Sequence, residues 1–209
     1  MSSILLIQSD PDARAHLIDT LNADPCLSVY GAVDTLAQAR AHIAQRIPDL
    51  LISDLRLRDG TLADLVSELR PGRSHALALA SSLHDPYLMH ALCHGVVAYA
   101  LVGRPREAML PLTRRVLAGE SPMAPEIARS VLALLDAPDT RPVPVGRHDP
   151  RSLSAMDRQL LQWLGEGYLL EEIALSFEIT PQLVGVRIRS LYRKLQQDRR
   201  ERMPLPKRR

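Results

Sequence analysis

Aromatic residues are scarce in this chain: one Phe, one Trp and five Tyr make up 3% of 209 residues. Aliphatic side chains must therefore fill its cores, and a hydrophobic fraction of 46% supplies them. Cysteine is scarcer still. Cys26 and Cys93 lie far apart and match no metal-binding or redox spacing. They read as reduced thiols of a cytoplasmic protein. No apolar run approaches the roughly 20 residues that cross a bilayer, so no membrane partner is expected. Met1-Ser2-Ser3 enters a strand pattern at once, without the basic segment of a secretory leader. No glycine-rich phosphate loop and no nucleophile–base set is present, so no enzyme is expected. The seven histidines form no evident ligand set; His90 and His94 share a helical face but lack a third ligand.

Charge is unevenly placed. Residues 151–209 carry 12 Lys/Arg against 7 Asp/Glu, whereas residues 1–150 carry 14 against 17. A basic segment on a mildly acidic body suits a nucleic-acid-facing module. A solvated basic tail, Arg199 to Arg209, gives the same imbalance.

The hydrophobic pattern alternates. Short apolar runs at 4–7, 28–32, 50–53, 76–80 and 96–101 read as buried strands. Between them, 11–23, 35–46, 62–69, 86–94 and 105–118 have helical spacing, with Leu36, Ala39, Ile43 and Ile47 facing inward on the second. Gly95 suits a helix C-cap. Strands alternating with helices in this way predict an α/β fold, a doubly wound five-stranded parallel sheet. Ligands bind such sheets at the carboxyl ends of the strands, and those ends carry Gln8, Ser9, Asp10, Asp54, Ser81 and Val102. Asp54 closes the apolar run Leu50-Leu51-Ile52-Ser53.

Residues 121–135 predict another helix, followed to residue 150 by a proline-rich stretch that reads as a stiff linker. Beyond it the period is helical throughout. Ser154 is a cap, Gly165 or Gly167 a stop, and 170–177 a second helix. Thr180 caps a third helix with Pro181 at its first position, running to about Gln197. Two helices joined by a short turn, the second basic, form a helix-turn-helix pattern. The domain expectation is therefore 1–120, a linker helix and linker over 121–150, and an all-α module over 151–209.

Both halves resemble response regulators of the NarL/FixJ type, a receiver domain joined to a LuxR-type helix-turn-helix. In the second half, Leu153-Ser-Ala-Met-Asp-Arg-Gln-Leu-Leu161, Gly165-Glu-Gly167, Glu172-Ile-Ala174, Ile179-Thr180, Val184 and Leu191-Tyr-Arg-Lys-Leu195 fall in the family's order and spacing. In the first half, Ile4 to Arg14 matches the first strand and loop, and Pro48 to Asp54 matches the strand bearing the phosphoacceptor. Asp59-Gly60 matches the loop that follows, and Gly95 the turn before the last strand.

The resemblance implies a phosphoacceptor at Asp54, a hydroxyl switch residue at Ser81 and a switch aromatic at Tyr99. It also implies departures. The two metal-binding acids fall on Gln8 and Ser9, and the phosphoryl-contacting lysine falls on Val102. Asp10 occupies the next position; a shifted loop would let it replace a missing ligand. Magnesium prefers hard anionic oxygens in near-octahedral geometry, so no cofactor is expected and magnesium binding should be weak or absent. Phosphoryl transfer depends on positioning and charge neutralisation. Both are depleted here, which points to regulation without aspartyl phosphorylation.

In the last helix, Leu183, Gly185 and Arg187 stand near the family's basic and histidine positions. Gln182 suits adenine, Arg187 guanine and Val184 a thymine methyl. Arg189, Arg193 and Lys194 suit phosphates. Gly185 either admits a close approach or marks relaxed DNA reading. The expected partners are double-stranded DNA and a second copy in a homodimer, with a protein partner or small ligand at the receiver-like domain. The alternatives are an interaction regulator that has lost DNA binding and a conventional phosphorylation-activated regulator.

Overall fold

The computed structural model describes residues 1–69, 74–103, 108–136 and 153–200, and it leaves aside the side chains of 136 and 198–200. The proline-rich linker, the basic residues past 200 and the expected start of the fifth helix fall outside that description. Backbone contacts divide the chain into two units, Met1–Gly119 and Glu120–Arg209.

In the first unit, apolar runs form β1 (Ser2–Ile7), β2 (Leu27–Val33), β3 (Leu50–Asp54), β6 (His75–Ala80) and β7 (Ala98–Leu101). They make one parallel sheet in the order β2-β1-β3-β6-β7. The strands are apolar on both faces because helices cover both. Ile4, Leu5, Leu6 and Ile7 are all fully buried, as are Leu50, Leu51 and Ile52. Each such side chain contributes about 1.5–3 kcal/mol. A short antiparallel pair, β4 (Arg56–Leu57) and β5 (Gly60–Thr61), follows β3. These two-residue strands are below the length at which alternation is visible in sequence.

Helices α1 (Pro11–Asn22), α2 (Leu36–Gln45), α3 (Leu62–Glu68), α4 (Pro86–His94) and α5 (Met109–Leu117) connect the strands. Their starts are chemically marked. Asp10 accepts from the backbone N–H groups of Asp12 and Ala13, each at 2.9 Å. Thr61 and Asp64 form a capping box, and Asp85 accepts from Tyr87 N. Helix α4 ends at Gly95 with φ 127°, where a Cβ would lie 2.6 Å from Val66 Cγ1. Only glycine satisfies both constraints. One packing expectation fails. Ile47 is 42% exposed, because α2 stops at Gln45 ahead of Pro48.

The second unit contains α6 (Pro125–Asp136), α7 (Ala155–Glu166), α8 (Leu170–Ser176) and α9 (Pro181–Arg200). Ser154 and Asp157 build a capping box at the start of α7, and Gly167 closes it at φ 95°. Helix α6 packs on α7 and α9 through Ile127, Ala128 and Val131, all buried. The helix read from sequence as part of a linker is thus folded into the second unit.

Candidate functional site

Sheet topology brings the ends of β1 and β3 together. Gln8 Nε2 donates to Asp54 Oδ1 at 2.9 Å, and Ser9 N donates to Asp54 Oδ2 at 2.9 Å. Gln8 is itself fixed. Its Oε1 accepts from Asp10 N at 3.0 Å, and its backbone carbonyl accepts from Arg14 Nη1 at 2.6 Å. Both Asp54 oxygens therefore face N–H donors from the β1 loop.

Burial pushes the Asp54 carboxyl above its ordinary range, and the Asp10 charge adds to that. The Ser9 and Gln8 hydrogen bonds work against the rise without cancelling it. Asp59, by contrast, lies below the ordinary range. Burial raises it, but the N–H groups of Leu36 and Ala37, at 2.8 and 2.9 Å, outweigh burial. Asp59 thereby ties the loop after β3 to the start of α2.

This donor set does not fit a divalent ion. The Gln8 amide presents hydrogens, not a lone pair, to Asp54, and its oxygen is engaged elsewhere. The Asp10 carboxylate is occupied as the cap of α1, which leaves the shifted-loop alternative without a geometric basis. Ser81 and Val102 follow β6 and β7 on the same sheet edge, and both are exposed. Val102 is 60% exposed and offers an isopropyl group where a phosphoryl oxygen would need a cation. Tyr99 lies within β7 opposite Ala78 and is buried, so its ring packs inside instead of standing at the strand-end surface.

The second candidate site is α9. Thr180 Oγ1 accepts from Leu183 N at 3.3 Å and starts the helix. Val184, Ile188, Leu191 and Leu195 are fully buried and define its inner face. The outer stripe is Gln182, Leu183, Val186, Arg187, Ser190 and Arg193. Gln182, Leu183, Arg187 and Arg193 stand where the sequence reading put them.

Three of the DNA-contact expectations need correction. Val184 is inside the domain and cannot reach a thymine methyl. Arg189 is buried, and burial together with nearby Arg193 pulls its guanidinium down to about 10. Lys194 is also inward: its Nζ lies 2.5 Å from Asp157 Oδ2, joining α9 to the start of α7. Asp157 sits below the ordinary carboxylate range; burial raises it, but Lys194 and Ser154 outweigh that.

Gly185 has an intramolecular reason. Ser121 N donates to its carbonyl at 3.2 Å, and a Cβ there would lie 3.1 Å from Glu120 Cβ and Cγ. Tyr192 Oη donates to Pro122 O at 3.1 Å, so the segment leading into α6 is fastened along α9. Sequence reasoning missed Val186, Ser190 and Glu120. The period anchored on Val184 and Ile188 would have placed the first two outward. Nothing local marks Glu120.

The fold defines the class: a receiver-like α/β unit followed by a helix-turn-helix unit. No protein-family model matches the chain. It is 28% identical over 203 residues to the DNA-binding transcriptional activator DevR/DosR of Mycobacterium tuberculosis, spanning 96% of this chain and 91% of that protein. It is 25% identical over 197 residues to the transcriptional regulatory protein UhpA of Salmonella typhimurium, spanning 93% and 92%. The RcsB response regulator of Salmonella typhimurium superposes with a TM-score of 0.55 at 15% identity, over 93% of each chain. The chain's relatives in sequence and fold are response regulators of the NarL and LuxR type.

Proposed function

We propose that this chain is a cytoplasmic transcription regulator that binds double-stranded DNA through α9 as a homodimer, and that its receiver-like unit works without aspartyl phosphorylation. The observation carrying the second part is the engagement of both Asp54 oxygens by Gln8 and Ser9. An incoming phosphoryl group would have to displace those donors while gaining neither a metal-held oxygen nor a lysine. The input is then a protein partner or small ligand at the receiver-like unit.

The DNA reading draws support from relatives that are DNA-binding regulators and from the exposed stripe of α9. Gln182 offers a bidentate amide for adenine and Arg187 a fork for guanine. Arg193 suits a phosphate. Genomic DNA selection with the intact chain tests this. Arg187→Ala should weaken bound fragments by about 10-fold or more and relax sequence preference. Arg193→Ala should weaken all fragments alike and lower the salt slope by roughly one unit. Failure to retain any fragment at low salt would overturn the DNA reading.

One observation favours a second reading, a regulator acting by protein contacts alone. With Arg189 and Lys194 turned inward, Arg187 and Arg193 are the exposed basic side chains among residues 181–197. Two cations are a thin electrostatic footprint for DNA.

A further inference from the structure

The chain has one Trp and one Phe, and both stand on the same side of the second unit. Trp163 of α7 packs against Phe177 at a ring distance of 4.9 Å and against Tyr168 at 6.2 Å. Trp163 and Phe177 are half-buried, and Tyr168 is exposed. Two leucines continue this surface outward: Leu169 is 62% exposed and Leu175 is 80% exposed. Nothing in the packing of α8 needs them there, since Ile173 and Ala174 already fill its inner face.

The charge of this surface has one sign. Glu166, Glu171, Glu172 and Glu178 are all exposed. Between Arg158 and Arg187 the sequence holds no Lys, Arg or His. Phosphate would be repelled here. Glu171 and Glu172 favour the N-terminus of α8 through the helix dipole, but that does not explain Glu166, Glu178 or the exposed leucines. An apolar, aromatic centre with a charged rim is the make-up of a protein-docking patch. Carboxylates beside aromatic faces suit guanidinium groups, which pair with the first and stack on the second.

We infer that the α7–α8 surface around Trp163, Tyr168, Leu175 and Glu171 docks a basic, arginine-bearing segment of another protein. It is separate from the outer stripe of α9 and does not depend on whether α9 binds DNA. It gives the second unit two surfaces of opposite chemistry, one for a polyanion and one for a polycation.

The single tryptophan makes the test direct, since Trp163 emission reports on the centre of the patch. The intact chain is titrated with a synthetic peptide of alternating arginine and leucine, and with its glutamate–leucine counterpart. A saturable change in emission with the arginine peptide alone is expected. Leu175→Ser and Glu171→Lys, both at exposed positions, should each weaken it by about fivefold or more, while Arg187→Ala leaves it unchanged. A response equal for both peptides, or indifferent to both patch variants, overturns the inference. So does a matching emission change with double-stranded DNA that Glu171→Lys strengthens, which would assign the surface to nucleic acid.

Discussion

Gln8 Nε2 lies 2.9 Å from Asp54 Oδ1, and the Gln8 Oε1 is held in turn by Asp10 N at 3.0 Å. One amide thus neutralises nothing yet satisfies a buried carboxylate from one side, while Ser9 N satisfies it from the other. The arrangement stabilises an unmodified aspartate. It leaves the ion-binding and charge-neutralising work of phosphoryl transfer without residues to do it.

If the amide and hydroxyl are what exclude magnesium, carboxylates should admit it. Gln8→Asp combined with Ser9→Asp is expected to lose stability in the absence of divalent ions, through crowding of acids around Asp54. Magnesium should then raise the melting temperature of the double variant, by mass action on the folded state. The parent chain should not respond. Equal magnesium responses measured by thermal shift would contradict the pocket argument.

The raised Asp54 carboxyl predicts a pH dependence of defined sign. Within the window between the unfolded and folded values, the native state binds the extra proton. The contribution of Asp54 to stability is therefore fully present below the unfolded value and is lost as pH rises through the folded one. Asp54→Asn cannot ionise, so the difference in unfolding free energy between parent and variant should shift in the variant's favour as pH rises through that window. Urea melts across the carboxylate range check this. A difference moving the opposite way would mean that Asp54 is stabilised as the anion.

Lys194 and Arg193 are adjacent but should behave differently. Lys194→Ala strands the inward-facing Asp157, whose Oδ2 lies 2.5 Å from the ammonium. The expected cost is about 2–4 kcal/mol. Arg193→Ala, at an exposed position, should stay within about 0.5 kcal/mol. Urea unfolding of the two variants distinguishes a structural lysine from a surface one.

Gly185 predicts coupling to a residue far away in sequence. Helix propensity alone would let Gly185→Ala gain about 1 kcal/mol. Its Cβ, however, would meet Glu120 Cβ, Cγ and Oε2 at 3.1 Å. The gain should shrink or reverse in the parent and recover with Glu120→Ala, which removes two of the three contacts. A double-mutant cycle should show coupling of about 0.5 kcal/mol or more. Additive effects would mean that the 120–121 segment does not rest on α9.

Much of the first unit was legible because each parallel strand is buried on both faces and reads as an unbroken apolar run. The runs at 4–7 and 50–53 fall within β1 and β3. The caps Ser154 and Thr180 were legible because one side-chain oxygen does a local job. Long-range geometry was not legible. Nothing near Lys194 in sequence announces Asp157, and nothing near Gly185 announces Glu120. Val184 was misplaced because matching it to a family position does not say which way it points. The buried positions Ile188 and Leu191 settle that. At Asp54, the sequence told which acids and which lysine were missing; only the folded chain brings the Gln8 amide to the carboxylate.

The most direct test of the central claim is chemical modification of Asp54. The intact chain is incubated with acetyl phosphate and magnesium, and separately with beryllium fluoride, and followed by intact-mass spectrometry and by melting temperature. The structure predicts no phosphoryl adduct and no stabilisation by beryllium fluoride. Stoichiometric modification of the parent chain that disappears in Asp54→Asn would contradict the account.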